Sequence, residues 1–110
     1  MTMDEVAEDQ AVEETFLGFL RASLGPSLKE IWLFGSRARG DARLDSDYDM
    51  LVIAEGKLPE IRKIVQEAEW QCMEKWGALV ASIVYTPEIW LSAQCSPLGL
   101  NIHRDGKLVA

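Results

Sequence analysis

The chain has only two cysteines, Cys72 and Cys95, far apart in sequence, and one histidine, His103. Two thiols and one imidazole are too few for a disulfide framework or a four-ligand zinc site, so both cysteines are expected as reduced thiols. No apolar run approaches the ~20 residues that a membrane-spanning helix needs. The start, Met1-Thr2-Met3-Asp4-Glu5, lacks the basic and then apolar pattern of a secretory signal. A soluble, cytoplasmic protein is expected. Residues 1–14 carry six acids and no base. Of 18 acids, 12 then remain against 11 bases, so the net charge of −7 sits almost wholly in that segment. The body is close to neutral, which argues against a dedicated nucleic-acid binder with its basic face. Internal repeats and low-complexity stretches are absent too.

What is present fits a single domain over residues 1–110, with an acidic N-terminal helix in 1–25 and a core in 28–110. A chain of this length buries roughly two-thirds of its unfolded surface, enough for one core. Val12, Phe16, Phe19, Leu20 and Leu24 stand at helical spacing between about Asp4 and Leu24, and Gly25-Pro26 ends the pattern. Ile31 to Phe34 and Tyr48 to Ala54 are apolar runs that predict strands covered on both faces. Leu58 to Trp76 predicts a second long helix, with Ile61, Ile64, Val65, Ala68 and Cys72 inward. A third strand is expected over Leu79 to Tyr85, then a short helix opened by Thr86-Pro87-Glu88. After Ser96-Pro97 come one helical turn and a last strand at Lys107 to Val109. The alternation gives an α/β (α+β) class: a small mixed sheet flanked by helices.

The stretch that carries chemistry runs from Phe34-Gly35-Ser36-Arg37-Ala38-Arg39-Gly40-Asp41 to Asp47-Tyr48-Asp49. Gly35 ends an apolar strand, where a missing side chain lets another group approach the backbone. Ser36 can open a helical turn, whose first N–H groups together with a hydroxyl make an anion site. Arg37, Arg39 and Arg43 add positive charge in the same short loop. These are the parts of a phosphate cradle. Asp47 and Asp49, two apart at a strand mouth, point to one face. Two carboxylates so placed repel unless a cation lies between them, and oxygen-only ligands beside phosphates suit magnesium. Cradle and carboxylates together describe metal-assisted phosphoryl or nucleotidyl transfer.

Gly35-Ser36, ten residues, then Asp47-x-Asp49 is similar to the signature of the polymerase-β-like nucleotidyltransferases. The Gly-Ser-Arg-Ala-Arg-Gly-Asp wording in so short a chain resembles the minimal nucleotidyltransferases, the antitoxin half of HEPN/MNT toxin–antitoxin pairs. The resemblance implies the polymerase-β-like fold. It implies that Gly35, Ser36, Arg37 and Arg39 hold the triphosphate of ATP or another nucleoside triphosphate. Asp47 and Asp49 then ligate one or two Mg²⁺ ions and are the catalytic acids. Nucleoside monophosphate, AMP from ATP, passes to a hydroxyl on a partner such as an all-helical HEPN toxin. Active relatives carry a third carboxylate on the strand that here runs Leu79 to Tyr85. Counting back from Thr86-Pro87 places it at Ala81, or at Ser82 if the register slips by one, and neither is acidic. The alternative is therefore a nucleotide-binding, partner-binding subunit with impaired chemistry. Glu74 or Glu55 could stand in for the absent acid.

Tyr48 is expected to point away from the aspartates into the core, and His103 to sit on the surface. Gln66, Trp70 and Met73, with Trp76 close by, line a second face of the long helix that suits either wide core packing or a partner surface.

Overall fold

The computed structural model describes residues 3–43 and 46–110. Leu44 and Asp45, inside the motif stretch, lie outside these, as do Met1 and Thr2. Helix α1 spans Met3–Leu24 and buries Val12, Phe16 and Leu20 completely. These residues recur every four positions, so one stripe of α1 enters the core, with Leu17, Phe19 and Leu24 packed at its margin. Gly25, at φ 54°, and Pro26 turn the chain through a short 3-10 turn, Gly25–Ser27.

Strand β1 covers Leu28–Phe34, three residues earlier than the apolar run indicates. Its first half is masked in sequence by Lys29 and Glu30. The pairing with the next strand is irregular between Leu28 and Glu30, so these polar residues are carried through a bulge. A four-residue helical turn, α2, occupies Ser36–Arg39, and strand β2 is Tyr48–Ala54. Helix α3, Leu58–Trp76, buries Ile61, Val65, Ala68 and Cys72 and stops at Gly77 in the left-handed region. Ile64, expected on the same stripe, packs only at its margin.

Strand β3 is Val80–Tyr85. Helix α4, Pro87–Ala93, is capped by the Thr86 hydroxyl, which accepts from the Ile89 N–H at 3.3 Å. Where one turn was expected, a nine-residue helix α5 forms over Pro97–Asp105. Ser96 caps it by accepting from Gly99 N–H at 3.2 Å, Pro97 fits its first turn, and Ile102 is fully buried. Gly99 lies against the backbone of Ala93 and Gln94, leaving no room for a Cβ, which lets α5 dock on the end of α4. Strand β4 is Lys107–Leu108.

The sheet order is β3-β2-β1-β4, with β2 and β3 parallel and the other pairs antiparallel. This is the mixed α+β sheet the alternation of elements predicts. One face, with Tyr48, Met50, Val52, Ala54, Val80 and Val84, packs under α1 and α3. The other carries Trp32, Phe34, Leu51, Ile53, Ile83 and Tyr85 beneath Trp90 of α4 and Ile102 of α5. No helix among the described residues is long and apolar enough to cross a membrane.

Candidate active site

Three strand ends meet at one edge of the sheet. Phe34, the last residue of β1, is opposite Asp49, and Asp49 is opposite Ala81 of β3. Gly35 follows Phe34 with φ 74°, a conformation L side chains avoid. A Cβ built on Gly35 would overlap Oδ2 of Asp49. The glycine thus does two things: it turns the chain into α2, and it vacates the volume into which the carboxylate extends. The signature's two halves are in van der Waals contact.

The loop between them is shaped by its own backbone. Arg39 N–H donates to Gly35 C=O at 3.1 Å, and Gly40 and Asp41 N–H donate to Ser36 C=O at 3.0 and 3.1 Å. Gly40, at φ 83°, closes this single turn. A helix start leaves its first N–H groups outside the hydrogen-bond ladder, available to an anion. Farther on, Arg43 and Ser46 bond reciprocally: Ser46 N–H to Arg43 C=O at 3.0 Å, Arg43 N–H to Ser46 Oγ at 2.9 Å.

Asp49 is half-buried, and burial first, then the neighbouring Asp47 charge, raises its pKa above the ordinary carboxylate value, while Arg39 pulls it back. Burial and a second acid nearby both disfavour the charged form of this carboxyl. Among the described residues no three His, Cys, Asp or Glu side chains converge as a metal site. Two carboxylates without a third protein ligand fit an ion such as magnesium, which completes its shell with waters and substrate phosphates.

The two arginines of the motif part company. Arg39 is exposed, pairs with Asp41 at 3.3 Å, and acts on both Asp49 and Asp105. It stands on the open side of the site. Arg37 points inward with only 10% of its side chain exposed. It binds Asp9 of α1 and the backbone of Ser46, and lies over the Tyr48 ring. An arginine expected at phosphate is thus engaged within the protein. Arg43 is exposed on the same loop.

Strand register separates the two residues considered for the third acid. Ala81 pairs with Asp49 and alternates with Ile83 and Tyr85, so it shares the Asp49 face. Ser82 belongs to the opposite face: its hydroxyl is buried without a hydrogen-bond partner of good geometry, close enough to Glu69 of α3 to lower that carboxyl's pKa against the raising effect of burial. Of the two, Ala81 stands beside Asp49 and Ser82 faces away from it. Nor do the two suggested stand-ins reach it. Glu55 follows the far end of β2, six residues or about 20 Å from Asp49, and Glu74 lies on α3 behind the sheet.

Tyr48 faces the core side, as expected, and its hydroxyl donates to Asp9 Oδ1 at 2.5 Å. His103 is exposed yet packs on Trp32 and Trp90, with ring centroids 6.2 and 5.5 Å away. Trp70 remains 60% exposed, with Met73 and Trp76 also open, so that face of α3 is not core. Asp9 is the site-linked residue that sequence reasoning passed over. Its one available signal is position: three residues before Val12, it falls on the buried stripe of α1.

The nucleotidyltransferase domain family matches residues 13–88, which include both halves of the signature and all three strand ends. The chain belongs to this family. Two relatives from Methanocaldococcus jannaschii carry the name protein adenylyltransferase. MJ1305 is 32% identical over 97% of this chain and 74% of its own length. MJ0604 is 29% identical over 93% and 97%. A solved toxin–antitoxin structure with AMP-PNP is 26% identical, with a TM-score of 0.65 over 89% of this chain and 72% of that one. The nucleotidyltransferase domain described here has the fold of these proteins. In this chain Gly35, Asp49 and Ala81 stand together at one edge of the sheet.

Proposed function

We propose that this nucleotidyltransferase moves AMP from ATP to a hydroxyl of a helical, HEPN-type partner protein, and that it needs Mg²⁺. The observation that carries the reading is the seating of Asp49 Oδ2 in the space over Gly35, which brings carboxylate and phosphate loop together. The names of the two archaeal relatives support AMP as the group transferred, and the AMP-PNP complex supports a protein partner in a toxin–antitoxin pair. In the reaction the acceptor oxygen bonds to the α-phosphorus as the α–β phosphoanhydride bond breaks, pyrophosphate leaves with that electron pair, and the hydroxyl proton passes to water. Asp47 and Asp49 would hold magnesium, which would supply positive charge beside the triphosphate and lower the barrier at phosphorus. Gly35 and Ser36 seat the phosphates on the first turn of α2, and Arg39 on the open side draws them in.

Ala81 favours a second reading, in which the subunit holds nucleotide and partner but transfers slowly or not at all. A positioned general base contributes about 10²–10⁴-fold, and this chain has an apolar methyl where one belongs. The test is incubation of the purified protein with labelled ATP, Mg²⁺ and the product of the adjacent gene, beside calorimetric titration with ATP. Label on the partner supports transfer. Mg²⁺-dependent ATP binding without label supports the second reading. Equal ATP affinity with and without Mg²⁺, or in Asp47→Ala/Asp49→Ala, overturns the metal-site assignment.

A further inference from the structure

We propose that Arg37 is a positioning residue for nucleotidyl transfer, gripped from behind by Asp9 of α1, and that it fixes where Asp47 stands. The inference rests on the nucleotidyl-transfer reading and adds a component to it. Asp47 is exposed and precedes β2 by one residue, so the sheet does not hold it. Its two chain neighbours are held instead, and by one guanidinium. On one side, Nε and Nη2 of Arg37 both donate to the Ser46 carbonyl, at 3.2 and 2.8 Å. Two donors on one acceptor fix the direction of the peptide that leads into Asp47. On the other side, Cζ of Arg37 lies 4.1 Å from the centre of the Tyr48 ring. The planar cation is sandwiched into the bend that presents the acid.

The guanidinium is itself anchored. Its Nη1 donates to Asp9 Oδ1 at 3.0 Å, and the Tyr48 hydroxyl donates to the same oxygen at 2.5 Å. The pair is largely screened from water, with 10% and 17% of the two side chains exposed. Four groups, Asp9, Arg37, Ser46 and Tyr48, thus close a ring around the approach to Asp47, and 28 residues separate the two charges in sequence. A lysine has one point charge and no fork, and cannot hold a carbonyl and a carboxylate in this plane. With Nε, Nη1 and Nη2 all donating inside the protein, Arg37 acts on the site through Asp47 and not by touching phosphate.

The two roles make opposite predictions at Asp9. If Arg37 were a phosphate ligand held back by Asp9, freeing it with Asp9→Asn would tighten ATP binding. If Arg37 positions Asp47, the same substitution loosens the metal site. The experiment uses the full chain and titrates Mn²⁺, read by its paramagnetic signal, in the presence of ATP. Wild type is compared with Asp9→Asn, Arg37→Gln, Arg37→Lys and the Asp9→Asn/Arg37→Gln double variant. Thermal unfolding confirms that each is folded at the working temperature. Residues that orient metal ligands typically carry 10–100-fold in metal affinity. Arg37→Gln is expected to weaken Mn²⁺ binding in that range, Asp9→Asn in the same direction by less, and Arg37→Lys to recover only part. The double variant is expected to be no worse than Arg37→Gln, because both substitutions break one assembly. Metal-free ATP affinity stays at the wild-type value throughout. Hydrogen exchange at residues 46–50 rises in the same order, and this readout serves if Arg37→Gln is too unstable to titrate.

Mn²⁺ binding unchanged or tighter in Asp9→Asn, or metal-free ATP affinity lost in Arg37→Gln, overturns the positioning role. Wild type that takes up no Mn²⁺ with ATP overturns the nucleotidyl-transfer reading and this inference with it. That failure is read on the wild-type arm alone, so the two are distinguishable.

Discussion

The two faces of the sheet are made from the same strands and have opposite fates. Alternate residues of β2 and β3 enter the large core under α1 and α3, where Phe16, Leu20 and Met50 are fully buried. The intervening residues face α4 and α5, and there the apolar layer is smaller and stops short of one end. At that end stand Asp49 and Ala81, side by side. A period of two therefore separates stability from chemistry: moving one position along a strand exchanges one role for the other. It also puts Ala81, and not Ser82, on the face of Asp49.

The largest test of that division is at positions 81 and 82. Ala81→Asp is expected to raise AMP transfer to the partner by up to about 10²–10⁴-fold, the range of a positioned base. Ser82→Asp is expected to leave transfer flat and to lower stability, since it sets a charge beside Glu69 beneath α3. Rates with labelled ATP decide it. A gain at Ser82 and none at Ala81 would reverse the facial assignment.

On the core face, Phe16→Ala should cost about 3–5 kcal/mol, as expected for an aromatic ring lost from a packed interior. Leu91, exposed on α4, should tolerate alanine within about 0.5 kcal/mol. Urea midpoints at constant m-value measure both. At the end of β1, Gly35→Ala should cost about 1–3 kcal/mol, because φ 74° with ψ −157° is a region that only glycine readily adopts. It should also weaken Mg²⁺-dependent ATP binding, because the new methyl displaces the Asp49 carboxylate. Calorimetry separates that loss from the stability change.

The smallest effect is on pH dependence. Glu13, Asp49 and Glu69 all have pKa values raised by burial above 4.5, 3.8 and 4.5 respectively. The folded chain then holds protons that the unfolded chain has released. Their contribution to stability is fully present below those reference values and is lost as pH rises through the folded ones. Thermal midpoints should fall modestly as pH rises above those reference values, and less so with Mg²⁺ and ATP bound, which shield Asp49.

Much of this was legible in the sequence, for reasons that differ by region. The β2 run, the α3 stripe and the glycine-ended α1 were readable because period and punctuation act within a few residues. The Gly-Ser and Asp-x-Asp elements were readable because backbone conformation and strand alternation force their geometry locally. The first half of β1 was hidden by Lys29 and Glu30, whose polarity is accommodated by a bulge that only the β2 pairing reveals. Helix α5 was underestimated because its stability comes from a cap and a glycine contact with α4. Arg37 could be seen as a cation in a phosphate loop, but not as the partner of Asp9. That pairing spans the fold, and no short-range pattern encodes it.

The overlap between Asp49 and any side chain at position 35 has a historical consequence. The two positions cannot drift independently. While the acid is present, every mutation at Gly35 meets it sterically. In a lineage that abandons the chemistry, the acid should be shortened or replaced first and the glycine only later. Descendants with an altered 49 and an intact Gly35 should therefore outnumber those with the reverse, and an alignment of related sequences would date the decay by its order.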